Sequence, residues 1–105
     1  MTPNYPVFIS ALEKSDPKFF AEMKAVFDLA MAPGELDART KVLLAMSLDA
    51  LSGAEGGVKV LAKAARSMGV TEAQIAEALR LAYFVAGNKV LETSRAAFEE
   101  YYTQE

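Results

Sequence analysis

Residues 71–86 decide the fold class: Thr71-Glu72-Ala73-Gln74-Ile75-Ala76-Glu77-Ala78-Leu79-Arg80-Leu81-Ala82-Tyr83-Phe84-Val85-Ala86. Thr71 followed three residues later by Gln74 is a capping box, in which a hydroxyl and a side-chain amide satisfy two free backbone donors at a helix start. Ile75, Ala78, Leu79 and Ala82 then recur at the 3.6-residue period that lines up one helix face. From Leu81 onward the stripe widens until Leu81, Tyr83, Phe84 and Val85 leave no polar side. A helix apolar all round needs cover on more than one face, so these four residues are expected to meet another subunit.

The same period extends in both directions. Val58, Leu61, Ala62, Ala65 and Met68 share one face of a helix from Glu55 to Met68, and Gly69 suits the left-handed position that follows a last turn. Asp37 caps a helix running to Ser52-Gly53, whose middle, Val42 to Met46, is apolar on every side. Asp16-Pro17 places a cap before a proline at the first helical position, and Pro33-Gly34 ends that helix. Phe20, Met23, Phe27 and Ala30 form its inner stripe. Val7 to Lys14 reads as a short helix or turn with Phe8 and Leu12 inward. Beyond residue 86, Gly87-Asn88 reads as a break, followed by a last helix from Lys89 to about Tyr102 with Val90, Leu91, Ser94, Ala97, Phe98 and Tyr101 inward. No stretch alternates as a strand would. The expectation is an all-α bundle of about six helices forming one domain over residues 1–105.

Composition narrows the chemistry. The 105 residues include no cysteine and no histidine. That removes disulfides, thiolate nucleophiles, redox dithiols, imidazole metal ligands and the Ser-His-Asp triad. A net charge of −3 speaks against nucleic acid, whose phosphates call for a surplus of Lys and Arg. No apolar run approaches the length of a membrane span, and Met1 to Pro6 has no basic segment leading into an apolar one, so a cytoplasmic location without membrane contact is expected. Hydrophobic residues make up 52% and mean hydropathy is +0.14, more apolar surface than a small core readily hides. Self-association is the expected outlet.

The candidate site lies around Ser52-Gly53-Ala54-Glu55-Gly56-Gly57. Gly56 and Gly57 fall in the first turn of a helix, where each costs about 1 kcal/mol relative to alanine. Either the backbone must approach a ligand or another helix there, or the stretch is a plain connection. Asp49 and Glu55 are two carboxylates one short loop apart, the type of pair that shifts one pKa toward acid or base work when it shares a cleft. They are the candidate catalytic residues, against a reading in which both face solvent. Lys59 and Lys63 lead a basic stripe completed by Arg66, which is either a solvated face or a seat for a small anion. Gly56, Gly57, Lys59 and Lys63 are therefore the candidate ligand-binding residues. No metal-ligand set and no cofactor motif is present.

From Asp16 to about Glu100 the order of elements resembles the alkyl hydroperoxidase D / carboxymuconolactone decarboxylase family. The resemblance rests on Gly34-Glu35-Leu36-Asp37-Ala38-Arg39-Thr40-Lys41, on Leu43 to Ser47, on Ala64 to Leu79 and on Ala86-Gly87, the third block being the most specific. It implies an all-α homo-oligomer, a trimer or hexamer. In the redox branch of that family a Cys-x-x-Cys opens one helix, a histidine follows four residues later, and a glutamate stands on the preceding helix. By position these fall on Ala54, Gly57, Leu61 and Val42, so the redox site is missing here. The resemblance then implies a non-redox protein that binds a small anionic or apolar molecule or serves in assembly. The alternatives are a lactone-decarboxylase type of enzyme using Glu55 or Asp49 with a lysine, and a structural subunit pairing with a cysteine-bearing paralogue.

Overall fold

The computed structural model describes residues 5–102, and side-chain surroundings for residues 5–100. Among the described residues there are helices and no strand, as expected for an all-α protein. The chain divides into two compact units, Met1–Glu35 and Leu36–Glu105.

The first unit holds two one-turn helices, α1 (Val7–Ser10) and α2 (Leu12–Ser15), and a longer helix, α3 (Pro17–Met31). Asp16 caps α3 as anticipated: its carboxylate accepts from the Phe19 amide at 3.3 Å, and Pro17 occupies the first turn. The helix stops because Ala32, the residue before Pro33, is pushed into extended backbone (φ −63°, ψ 151°). Phe20, Met23 and Phe27 are half-buried, whereas Ala30, also read as inward, is exposed. Tyr5, which carries no periodic signal, organises this unit. Its ring meets Phe20 and Phe27 edge-on with centroids 6.4 and 5.2 Å away, and its hydroxyl donates to Asp28 at 2.8 Å. Ile9 and Leu12 are the half-buried residues of α1 and α2, while Phe8 points outward, correcting the expectation that it faces in.

The second unit is built from α4 (Ala38–Ser52), α5 (Glu55–Ser67) and α6 (Glu72–Ser94), followed by a 3₁₀ turn (Arg95–Phe98) and the single turn α7 (Glu99–Tyr102). Two reversals fold it. After α4, Gly53 takes φ +79°, the Gly53 amide donates to the Ala50 carbonyl and the Ala54 amide to the Asp49 carbonyl. After α5 the pattern repeats with Gly69 at φ +85°, Gly69 bonding to Arg66 and Val70 to Ala65. Each is a Schellman turn, and both need a residue free to adopt positive φ. The second turn places Val70 in the core, where Val42, Met46, Ala65, Val70 and Ile75 are buried and Leu43, Val58, Leu61, Ala62, Ala64, Ala78 and Leu79 pack around them. The Ser47 hydroxyl donates across to the Ala78 carbonyl at 3.2 Å, tying α4 to α6.

Two expectations for the C-terminal region are corrected. Gly87-Asn88 does not break the chain, and the fifth and sixth expected helices are one, α6, of 23 residues. Neither residue removes a backbone donor as proline would, neither takes positive φ, and a glycine's cost of about 1 kcal/mol is absorbed in so long a helix. The break falls instead at Arg95, where the helix tightens to 3₁₀. Val90, Leu91, Ser94, Ala97 and Phe98 are exposed rather than inward, because the core lies along the first half of α6. Tyr101, read as inward, has a side chain outside the described residues.

The helix starts carry the pH dependence of this unit. Backbone and side-chain hydrogen bonds from Thr40, at 2.8 and 3.1 Å, hold the Asp37 carboxyl below its ordinary range. The Glu72 carboxyl is held down by the forked hydrogen bonds of Arg66, at 2.7 and 2.9 Å. A carboxylate whose folded pKa is depressed contributes stability that is complete above its unfolded pKa and is lost as pH falls through the folded value. Thermal melts should therefore drop on acidification through and below the usual carboxylate range. Asp37→Asn, which keeps the cap without a charge, should flatten part of that drop and retain most of the neutral-pH midpoint, whereas Asp37→Ala should lower the midpoint at neutral pH. In the capping box, Thr71→Ala should cost about 1 kcal/mol in urea unfolding.

Candidate functional site

The site begins at the end of α4. The Schellman turn at Gly53 delivers Ala54 as the residue before α5, so the first turn of α5, Glu55-Gly56-Gly57, folds back beside the last turns of α4. Asp49 stands there, half-buried. Its carboxylate lies against the α-carbon of Gly57: a Cβ placed on Gly57 would come 2.8 Å from the Asp49 Cγ and nearer still to Oδ2. A side chain at Gly57 would therefore have to displace the Asp49 carboxylate. At Gly56, by contrast, a Cβ would meet nothing within 4 Å, so the close approach found at Gly57 does not extend to its neighbour.

The electrostatics favour this placement of an acid. The first turn of a helix carries free amides and the positive end of the peptide dipoles, which attract a carboxylate from outside the helix as well as from its cap residue. Ala54 itself offers no side-chain cap. Asp49 makes no side-chain hydrogen bond among the described residues.

The other candidates are dispersed. Glu55 stands exposed on the first turn of α5 and forms no ion pair with any described residue. Lys59 and Lys63 are exposed, and Arg66, the last of the basic stripe, is engaged by Glu72. The structure therefore brings Asp49 to Gly57, and brings neither the two carboxylates nor the three cations into one described contact. The positions that the family resemblance marks are now placed. Val42 is buried in the core and Leu61 packs against it, Ala54 precedes α5, and Gly57 lies under Asp49. Leu81, Tyr83, Phe84 and Val85 are exposed, at 61%, 82%, 63% and 50%. No helix among the described residues is long and apolar enough to cross a membrane.

A family model described as the carboxymuconolactone decarboxylase family matches residues 17–100. The chain belongs to that family. The match begins at the first residue of α3 and runs through α4, α5 and α6, so it includes the Asp49–Gly57 contact. A search of curated proteins gives no match.

What sequence reasoning missed is the contact itself. Asp49 and Gly57 each stand out by type, the acid in an apolar helix and the glycine in a first turn, yet nothing in a linear pattern says that one occupies the other's side-chain space. The coupling is measurable. Gly57→Ala made in an Asp49→Ala background should stabilise the protein by about 0.5–1 kcal/mol, the ordinary gain of alanine over glycine in a helix. In the wild type the same substitution must first push the carboxylate aside, so the gain should vanish or reverse, giving a coupling of about 1 kcal/mol or more in a double-mutant cycle. Additive effects would show that Asp49 does not sit over Gly57.

Proposed function

We propose that this member of the carboxymuconolactone decarboxylase family is a non-redox, homo-oligomeric protein that binds a small molecule through the first turn of α5. The reading is supported above all by the contact of Asp49 with Gly57. The positions that the resemblance aligns with the family's dithiol are Ala54 and Gly57, and at the second of them a side chain would have to displace the Asp49 carboxylate. A dithiol mechanism needs a thiolate and a resolving thiol, and the 105 residues contain no sulfur nucleophile. What remains is a carboxylate at a helix start against Gly57, with Glu55, Lys59 and Lys63 on the same helix as charged groups for orienting a ligand. Exposed apolar surface on α4 and α6, including Leu44, Leu48, Leu81 and Phe84, supports assembly from several copies.

A second reading rests on the same half-buried acid. Asp49 would serve as the proton donor or acceptor of a decarboxylase acting on a small carboxylated lactone, with Lys59 or Lys63 holding the substrate carboxylate. The two readings separate in one experiment. A carboxylated five-membered lactone, added to the purified protein, should raise the melting midpoint, and Asp49→Asn should abolish the shift while leaving the unliganded midpoint near its wild-type value. Under the binding reading no carbon dioxide is released. Release that disappears in Asp49→Asn would establish the enzyme instead. Light scattering should give a mass that is a multiple of the 11.3 kDa chain. With a thiol reductant, the pure protein should consume no peroxide above the rate of the reductant alone.

A further inference from the structure

Helices α1 and α2 both pack against α3, and they are too short to exist without it. Each has four residues, a single turn, and an isolated helix of fewer than about 12 residues is marginal in water. Their backbone hydrogen bonds therefore last only while residues 5–15 are seated on α3. These bonds run from the Ile9 and Ser10 amides to the Pro6 carbonyl at 2.9 and 3.0 Å, from Ala11 to Val7 at 2.9 Å and from Asp16 to Leu12 at 2.8 Å. Helix α3 has no such dependence at its own start, because the Asp16 carboxylate caps it and Pro17 occupies its first turn. Asp16 itself stands outside helical geometry at φ −155° and ψ 78°, so it forms a joint between the short helices and the long one. No residue of α1, α2 or α3 is fully buried, which puts this packing at the weak end of the molecule's contacts.

We infer that residues 5–15 are a strap that opens and closes on α3 as a local unit, hinged at Asp16 and latched by Tyr5. What selects Tyr5 is that its contacts are directed and lie at the end of the strap far from the hinge. Its ring meets Phe20 and Phe27 edge-on, two residues two turns apart on α3, so it grips the helix along its length. Its hydroxyl donates to Asp28, whose carboxylate is also within 3.9 Å of the Lys24 ammonium one turn away. The Ser10 hydroxyl donates to the Tyr5 carbonyl at 3.4 Å, tying the latch back to α1. Ile9 and Leu12 add half-buried apolar surface between latch and hinge, which holds the strap down without fixing where it lies. Once Tyr5 lets go, the two single turns lose the surface that sustains them, and latch and turns give way together. Opening bares the Phe20 and Phe27 rings. It leaves the core of the second unit in place, since Val42, Met46, Ala65, Val70 and Ile75 all belong to Leu36–Glu105. The strap thus controls access to the aromatic face of α3 at no cost to the rest of the fold.

Amide hydrogen exchange of the full chain, read residue by residue by NMR, tests the strap. The Ile9, Ser10, Ala11 and Asp16 amides should exchange at one shared protection, well below that of the Met46, Ala65 and Ile75 amides. Tyr5→Ala should speed the four strap amides by about tenfold or more while leaving rates in α4, α5 and α6 within about twofold of wild type. Tyr5→Phe keeps the ring contacts and loses the bond to Asp28, so it should speed the same four amides by a smaller factor, about two- to fivefold. The converse variant is Ile75→Val, a mild trim of the second unit's core that should raise rates in α4, α5 and α6 by about three- to tenfold and leave the strap amides unchanged. Strap amides unmoved by Tyr5→Ala would overturn Tyr5 as the latch. A common acceleration of strap and core amides in either Tyr5→Ala or Ile75→Val would overturn the strap as a local unit, since the chain would then open as a whole.

Discussion

The hydrogen bond from the Val70 amide to the Ala65 carbonyl, closed around Gly69 in its left-handed conformation, is the constraint on which the second unit depends. It ends α5, reverses the chain and drops Val70 next to Ala65, the small buried residue that lets the α5 backbone come close to its neighbours. From there Thr71 and Gln74 start α6 two residues later, and Ile75 reaches the same core as Met46 and Val42 of α4. Substituting Gly69 by any residue with a Cβ meets the strain of positive φ, even though the nearest group, the Arg39 guanidinium at 3.4 Å, leaves room for the new atom. The Arg66–Glu72 fork spans the same reversal from outside. Because both ions are exposed, it contributes little at neutral pH beyond fixing the approach of the two helices.

Much of this was legible in the chain because the signals are local. Asp16-Pro17, Asp37, Gly53, Gly69 and Thr71-Gln74 each act within one turn, where a side chain and the backbone it bonds are three or four residues apart. Where a reading needed more than one turn of information it failed in a consistent way. Gly87-Asn88 looks like a stop because glycine and asparagine are poor helix formers, but propensity is a weak preference that a long helix anchored at Ile75, Ala78 and Leu79 overrides. Tyr5 gave no periodic signal at all, since it packs from outside the helix whose aromatic residues it meets.

The candidate site shows the same division. Type and position alone singled out Asp49 and Gly57, while their relation is a contact between the end of one helix and the start of the next. The turn that joins them is itself readable, from Gly53, and it is this turn that fixes how α5 begins relative to Asp49. Glu55, Lys59 and Lys63 illustrate the converse. Their spacing suggested convergence, yet residues on the outer face of one amphipathic helix diverge unless another element draws them together.

Val90 and Leu91 expose the deeper limit of periodicity. A 3.6-residue repeat identifies which side chains share a face, but it is silent about what that face packs against. The chain is 52% hydrophobic, and among the described residues five hydrophobic side chains are fully buried while many others, such as Leu81, Phe84 and Leu91, stay exposed. Helix α6 concentrates apolar residues, and it does so on two lines half a turn apart, one serving the core and one directed away from it. A helix with two such lines is under two separate packing demands, and mutations on them are expected to separate as well. Changes at Ile75 or Leu79 remove apolar contacts from the core of the unit, whereas changes at Phe84 or Leu91 alter exposed surface and leave that core intact, with the boundary near Leu81 and Ala82 where the two faces meet along the same turn of helix.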